Sequence, residues 1–220
     1  MRATILVLLL FVTISTFGQR KIKVREEREK ISNGSHNALV ASVYESTPDE
    51  IEKAWKKLMK DYNAKMSMKK EMFADDATIK DFSPNTCDVY AFVRKISDEE
   101  NEIVVAVDLG GAYLSSSEQS SQYKVMQKII YDFALETSKD AINEKQKVAE
   151  KLLAGIEKAK QDLIKENERL ASQIEDYKSK ITKAESDIEK NKSLVIDKDK
   201  EIESQQKVVE EIVAKSKVVD

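Results

Sequence analysis

Four places along the chain carry side chains whose types and spacing could support chemistry. The first is Val104–Ser117, VVAVDLGGAYLSSS, where an apolar run ends in Asp108-Leu109-Gly110-Gly111 and passes into serines. A turn of that composition can face a nucleotide phosphate. The second is Met66, Met68 and Met72, whose thioethers are soft enough for cuprous copper. Strand alternation puts all three on one side, which also describes a core face, and methionine is an ordinary core filler. The third is His36, the single histidine of the chain. One histidine makes no histidine-rich metal site and gives no serine or cysteine an assignable base. The fourth is the acidic run Ser97–Glu102, SDEENE. It lacks the alternating Asp-x-Asp-x-Asp-Gly spacing of a calcium loop and reads as a solvated turn.

The stretch Asp108 to Gly111 resembles the phosphate loop of the sugar-kinase and actin-like ATPase superfamily, which implies ATP binding. In that fold the loop joins two strands of one hairpin near the start of the domain. Here the motif closes the globular part and a helix follows. No second phosphate loop completes a cleft, and neither a Walker lysine nor a dinucleotide fingerprint appears. The glycines have a simpler use, because a chain leaving a strand for a helix needs the backbone angles that glycine allows. Sequence alone therefore assigns no catalytic, cofactor-binding or metal-ligating residue, and no cofactor. The chain reads as a non-enzyme.

The elements around these residues fall into two materials. Both prolines and all but one glycine precede residue 142. Residues 20–36 are charged, end near the turn signal Asn33-Gly34, and read as a mobile or loosely helical leader. Residues 37–141 form the globular part. Ala38–Glu45 is a first strand. Thr47-Pro48-Asp49-Glu50 starts a helix, with Thr47 as cap, Pro48 at the first position and Glu50 completing a capping box. Ile51, Trp55, Leu58, Met59 and Tyr62 then recur at helical spacing. Strands are expected near 65–74, 77–83, 87–96 and 102–109, punctuated by Asp75-Asp76, Ser83-Pro84-Asn85 and Ser97–Asn101. Ser115 with Glu118 caps the next helix, whose stripe is Val125, Met126, Ile129, Ile130 and Phe133. The expected class is α+β: a small antiparallel sheet with helices on one face, the last helix continuing into a long C-terminal coiled coil.

Residues 1–19, with Arg2 before an apolar run and small residues near Gln19, read as a secretory signal peptide. The run is too short for a comfortable membrane span. The mature protein is therefore expected in the periplasm or outside the cell, without a membrane span. Removing Arg2 moves the formal charge from −3 to −4, which gives no electrostatic reason to expect nucleic acid. A lone Cys87 cannot form an internal disulfide; burial as a small apolar residue is the expected role, with an intermolecular bridge as the alternative.

Residues 142–220 carry the strongest pattern. With Ile142 at heptad position d, the a positions include Leu153, Lys160, Asn167, Ile174, Ile181, Ile188, Val195, Ile202 and Val209. The d positions include Ile156, Leu163, Leu170, Tyr177, Ala184, Asn191, Lys198, Gln205 and Ile212. A period of 3.5 residues kept over ten heptads implies a left-handed coiled coil. The expected interface is Leu153, Ile156, Leu163, Asn167, Leu170, Ile174, Tyr177, Ile181, Ile188, Val195, Ile202 and Val209. The expected partner is a second copy, parallel, with Lys180 facing Glu185 and Asp187 facing Lys192 across the pair. The polar d positions weaken the distal third, which could accept another envelope or secreted protein, or fold back near Asn191.

The function expected is that of an exported, non-catalytic interaction or scaffolding protein that dimerises through its stalk. A second expectation comes from the order strand, helix, antiparallel sheet and long C-terminal helix. That order resembles helix-grip folds, which implies an exported module holding an apolar small molecule between sheet and helix.

Overall fold

The computed structural model describes residues 20–216, so the apolar segment read as a signal peptide lies outside the described residues. Two compact units are present, one ending at Ala149 and the other beginning at Glu150.

The first unit holds a six-stranded antiparallel sheet: β1 (Val24–Ile31), β2 (Gly34–Tyr44), β3 (Lys65–Met68), β4 (Met72–Ala77), β5 (Cys87–Lys95) and β6 (Glu100–Asp108). Across the sheet the order is β1-β2-β6-β5-β4-β3. Helix α1 (Pro48–Asp61) carries the chain from β2 to the far edge, and α2 (Ser120–Ser216) follows β6. The α+β class with a long last helix is what the pattern of elements predicts.

Helix α1 starts where its capping box says it should. Thr47 accepts the N–H of Glu50 while the Glu50 carboxylate accepts the N–H of Thr47. Its stripe buries Ile51, Trp55 and Met59 against the sheet, with Leu58 and Tyr62 at the margin. The front of α2 buries Tyr123, Met126, Ile130, Phe133 and Ala134 in the same core. Trp55 meets Phe133 edge to face, ring centres 5.0 Å apart, a geometry aromatic quadrupoles favour. Ser138 fixes the helix to β2, because its Oγ accepts the N–H of Tyr44 and donates to the carbonyl of Ala134.

The charged segment 20–36 is no loose leader. It supplies β1 and the turn into β2, with Ile31 directly opposite Gly34 and Ser32 at a φ of 60°. A positive φ at the first residue of a two-residue loop suits the twist of a hairpin. The strand survives its charge because alternation sends Arg25, Glu27 and Glu29 to the face that carries no helix. There Arg94 of β5 binds Glu29 at 2.8 Å and Glu102 of β6 at 2.8 and 3.1 Å, and Arg25 binds Glu102 at 2.5 Å. Beneath these chains a second, smaller core of Ile31, Ala38, Val40, Val104 and Ala106 is sealed from water. Strand β6 is thus buried on both sides, Ile103, Val105 and Val107 to the helices and Val104 and Ala106 to the other face.

Two further expectations change. The strand expected at 65–74 is two, β3 and β4, joined at Lys69–Glu71 with neither glycine nor proline. Asp75 and Asp76 lie within β4, beside a register shift between Ala74 and Ala77, instead of marking a turn. No strand forms over 78–86. Ile79 and Phe82 are buried, but as a plug: Thr78 donates to the carbonyl of Tyr62, and Phe82 and Ser83 donate to that of Ile79.

Candidate functional site

The surface that stands out is on the second unit. From Glu150 to Ser216 the chain is a single stretch of α-helix, and the heptad frame lays one apolar row along it. The row is open to solvent. Its apolar members range from 42% exposed at Leu170 to 67% at Leu163, with Ile174, Ile181, Ile188, Val195, Ile202 and Val209 between those limits. Leu153, Ile156 and Tyr177 belong to the same row, and Asn167 is exposed within it. Half of a large aliphatic side chain is roughly 90 Å², so burying each residue returns about 2 kcal/mol at the usual coefficient.

Charges flank the row and are paired along the helix. Glu166–Arg169, Glu175–Lys178, Glu189–Lys192 and Lys198–Glu201 are bound at 2.6 to 2.7 Å, all three residues apart. Asp187 is 3.7 Å from Lys190, and the Lys180 ammonium lies over the Tyr177 ring. Two side chains expected to reach another helix, Asp187 and Lys192, thus have partners on their own. Such exposed pairs are worth under about 1 kcal/mol, so they yield readily to better ones.

On the first unit, the glycine turn answers its own question. The Asp108 carboxylate accepts both the Gly110 and Gly111 N–H groups, at 2.9 and 2.7 Å. Those donors are consumed by their neighbour and do not point outward toward an anion. The glycines have φ of 95° and 111°, and a Cβ on either would meet nothing within 4 Å. They are present for the backbone conformation. The chain turns back so that Leu114 donates to Val107, then makes a separate turn in which Ser115 accepts the N–H of Glu118. The return bond comes from Gln119, whose side chain accepts the Ser115 N–H, and α2 proper starts only at Ser120.

The remaining chemistry-bearing residues are occupied. His36 stacks on Tyr113 with ring centres 3.6 Å apart, and its Nε2 is 2.9 Å from Asn33 Oδ1. Met72 is buried and Met66 packs against the same core, while Met68, facing Met72 across the ladder, is partly exposed. Cys87 is buried, and desolvation with Asp88 nearby pushes its thiol up to about 11. It is therefore a protonated, weakly nucleophilic thiol near neutral pH.

Sequence reasoning missed two features. Asp75, Asp76 and Asp88 bring carboxylate oxygens within 4.8 Å of one another, through the register shift in β4. A cleft of about 770 Å³ lies between the end of α1, the 78–81 loop and the start of α2. Asp61, Asp81 and Asp132 line it with Lys80, Lys124 and Lys128, over a floor of Ile79, Val125 and Ile129. Burial, aided by those three aspartates, raises the pKa of the Tyr62 phenol there. Neither feature has a local signature, because the cleft joins three separate segments and the trio forms only when β4 pairs with β5.

The chain matches no protein-family model, no curated protein and no solved structure. The reading of the site rests on its own geometry. Among the described residues no helix is long and apolar enough to cross a membrane.

Proposed function

We propose that this is an exported, non-catalytic interaction protein that self-associates through the helix Glu150–Ser216, leaving the α+β unit to meet an envelope or secreted partner in a scaffolding role. The observation that carries the reading is the solvent-exposed apolar row on heptad positions, sustained from Leu153 to Val209. A single helix has no way to bury such a row, and a second helix does. The export part rests on the apolar segment before Arg20. The non-catalytic part is supported by the turn amides held by Asp108, the protonated Cys87 and the stacked His36.

The alternative, an apolar small molecule gripped between sheet and helix, needs room in that layer. Trp55, Met126, Ile130 and Phe133 fill it. The reading is tested by the absolute mass of the protein in solution as a function of concentration. A dimer that dissociates on dilution is the expected result; a monomer at all concentrations up to the millimolar range refutes it.

A further inference from the structure

We propose that the partner of this helix is a second copy of the chain lying antiparallel, in the register that sets Ile181 opposite the partner's Ala184. The proposal rests on the self-association reading above and replaces the parallel alignment expected from the heptad pattern alone.

The interruptions of the apolar row decide the orientation. In a parallel, in-register pair every seam residue faces itself. Lys160 at a would face the partner's Lys160, and Lys198 at d the partner's Lys198. Two like-charged layers would then sit on the seam, each ammonium partly desolvated by its twin. An antiparallel pair sets a positions against d positions instead. In the register named, Lys160 faces the partner's Gln205 and Asn167 faces the partner's Lys198. Each ammonium meets an amide oxygen that can accept from it. Both interruptions at a therefore meet interruptions at d, and one polar-to-apolar mismatch remains, Ile174 against the partner's Asn191.

Side-chain volume points the same way. A parallel pair would put tyrosine on tyrosine at position 177 and alanine on alanine at position 184, a thick layer and a thin one two layers apart. The antiparallel register sets Tyr177 against the partner's Ile188 and Ala184 against the partner's Ile181, which evens the spacing. Even layers keep the helices in contact along their length. Further out, Leu170 meets the partner's Val195 and Leu163 the partner's Ile202. At the rim of the seam Lys180 comes beside the partner's Asp187 and Lys178 beside the partner's Glu185. One like-charge contact is left at the rim, Glu166 near the partner's Glu201.

The same pairing cannot be made within one chain. Its centre falls between Thr182 and Lys183, and α2 runs unbroken through that point. Folding back would destroy the central layers that the register exploits.

The test uses the full chain with Cys87→Ala, spin-labelled at Lys158→Cys in one preparation and at Lys207→Cys in another. Both positions are on the outer side of the helix, away from the seam in either orientation. The antiparallel register predicts a distance within roughly 25 Å between labels when the two preparations are mixed, and on the order of 70 Å when either is measured alone. A short distance in each preparation alone would overturn the orientation while leaving self-association standing. A monomer by mass would overturn both. A second variant guards against a folding artefact: Glu166→Lys should tighten the antiparallel dimer about fivefold or more, because it faces the partner's Glu201. In a parallel pair it faces Ala171, so an unchanged dissociation constant would refute the register.

Discussion

Replacing Glu102 by glutamine tests whether the helix-free face of the sheet is held by its ion pairs. Glu102 is 7% exposed and accepts from Arg25 and from two nitrogens of Arg94. Burial alone would raise its pKa, yet the hydrogen bonds from Arg94 and Arg25 prevail and hold the carboxyl below its ordinary value of 4.5. Breaking a buried pair costs about 3–5 kcal/mol. The two arginines are more than a third exposed and retain Glu27 and Glu29, so the expected loss is reduced to about 2 kcal/mol. The first unit should then melt about 8 °C lower. The sign with pH follows from the depressed pKa. The carboxylate stabilises the fold above the unfolded pKa of a glutamate, and that contribution fades as pH falls through the lower, folded value. Wild type and Glu102→Gln should therefore differ by a constant amount from pH 6 to 8 and converge below about pH 4.5. Trp55, the single tryptophan and fully buried, reports the unfolding by its fluorescence in urea. A difference under about 0.5 kcal/mol at pH 7, or one that persists undiminished into acid, would refute the reasoning.

Other substitutions separate the two units. Ile181→Glu introduces a charge at the centre of the seam in either helix orientation and should raise the dimer dissociation constant more than about 100-fold by sedimentation equilibrium, with Trp55 fluorescence unchanged. Gly111→Ala should destabilise the first unit by about 1–2 kcal/mol in urea, through its positive φ and not through a clash. Gly155→Ala, in helix with open space around it, should have the opposite sign and raise helix stability by about 1 kcal/mol. Cys87 should react with a thiol reagent at pH 8 only at the rate at which the unit unfolds, since its thiol is buried and protonated there.

What could be read from the sequence was what is decided locally. Thr47 and Glu50 cap α1 through bonds between residues three apart. The stripe of Met126, Ile130 and Phe133 needs only helical periodicity, and the unbroken apolar run of β6 is visible within nine residues. Strand β1 was hidden because its reason for being a strand lies elsewhere. Nothing in VREEREKI marks it until Arg94 and Glu102, more than sixty residues on, supply countercharges for Arg25 and Glu29. The loop 78–86 failed in the opposite direction. Ile79 and Phe82 look like a strand because they are buried, but they close the end of a core instead of lining a ladder. The cleft beside Tyr62 and the aspartate trio at the β4 irregularity had no local signal, since three segments build the cleft and two strands build the trio.

The helix of the second unit shows the same limit in a sharper form. Its apolar residues announce that a partner is needed, and they are nearly indifferent to which way that partner runs, since leucine packs on isoleucine in either sense. Direction is encoded in the residues that spoil the row. Lys160, Asn167, Asn191, Lys198 and Gln205 each look like a defect when one chain is considered by itself. Considered in pairs, the two at a positions add to the two at outer d positions about one common centre, and that centre also matches Ala184 with Ile181 and Tyr177 with Ile188. Polar seam residues are kept at a cost in stability when they select one alignment over others. Their removal should therefore strengthen association while loosening its geometry. In Lys160→Leu with Lys198→Leu the like-charge obstacle to a parallel pair is gone, and the distances between labels at position 158 should broaden from one long population to a mixture of long and short. A tighter dimer that keeps the single long distance would show that the apolar layers alone fix the direction, and that these lysines do not select it.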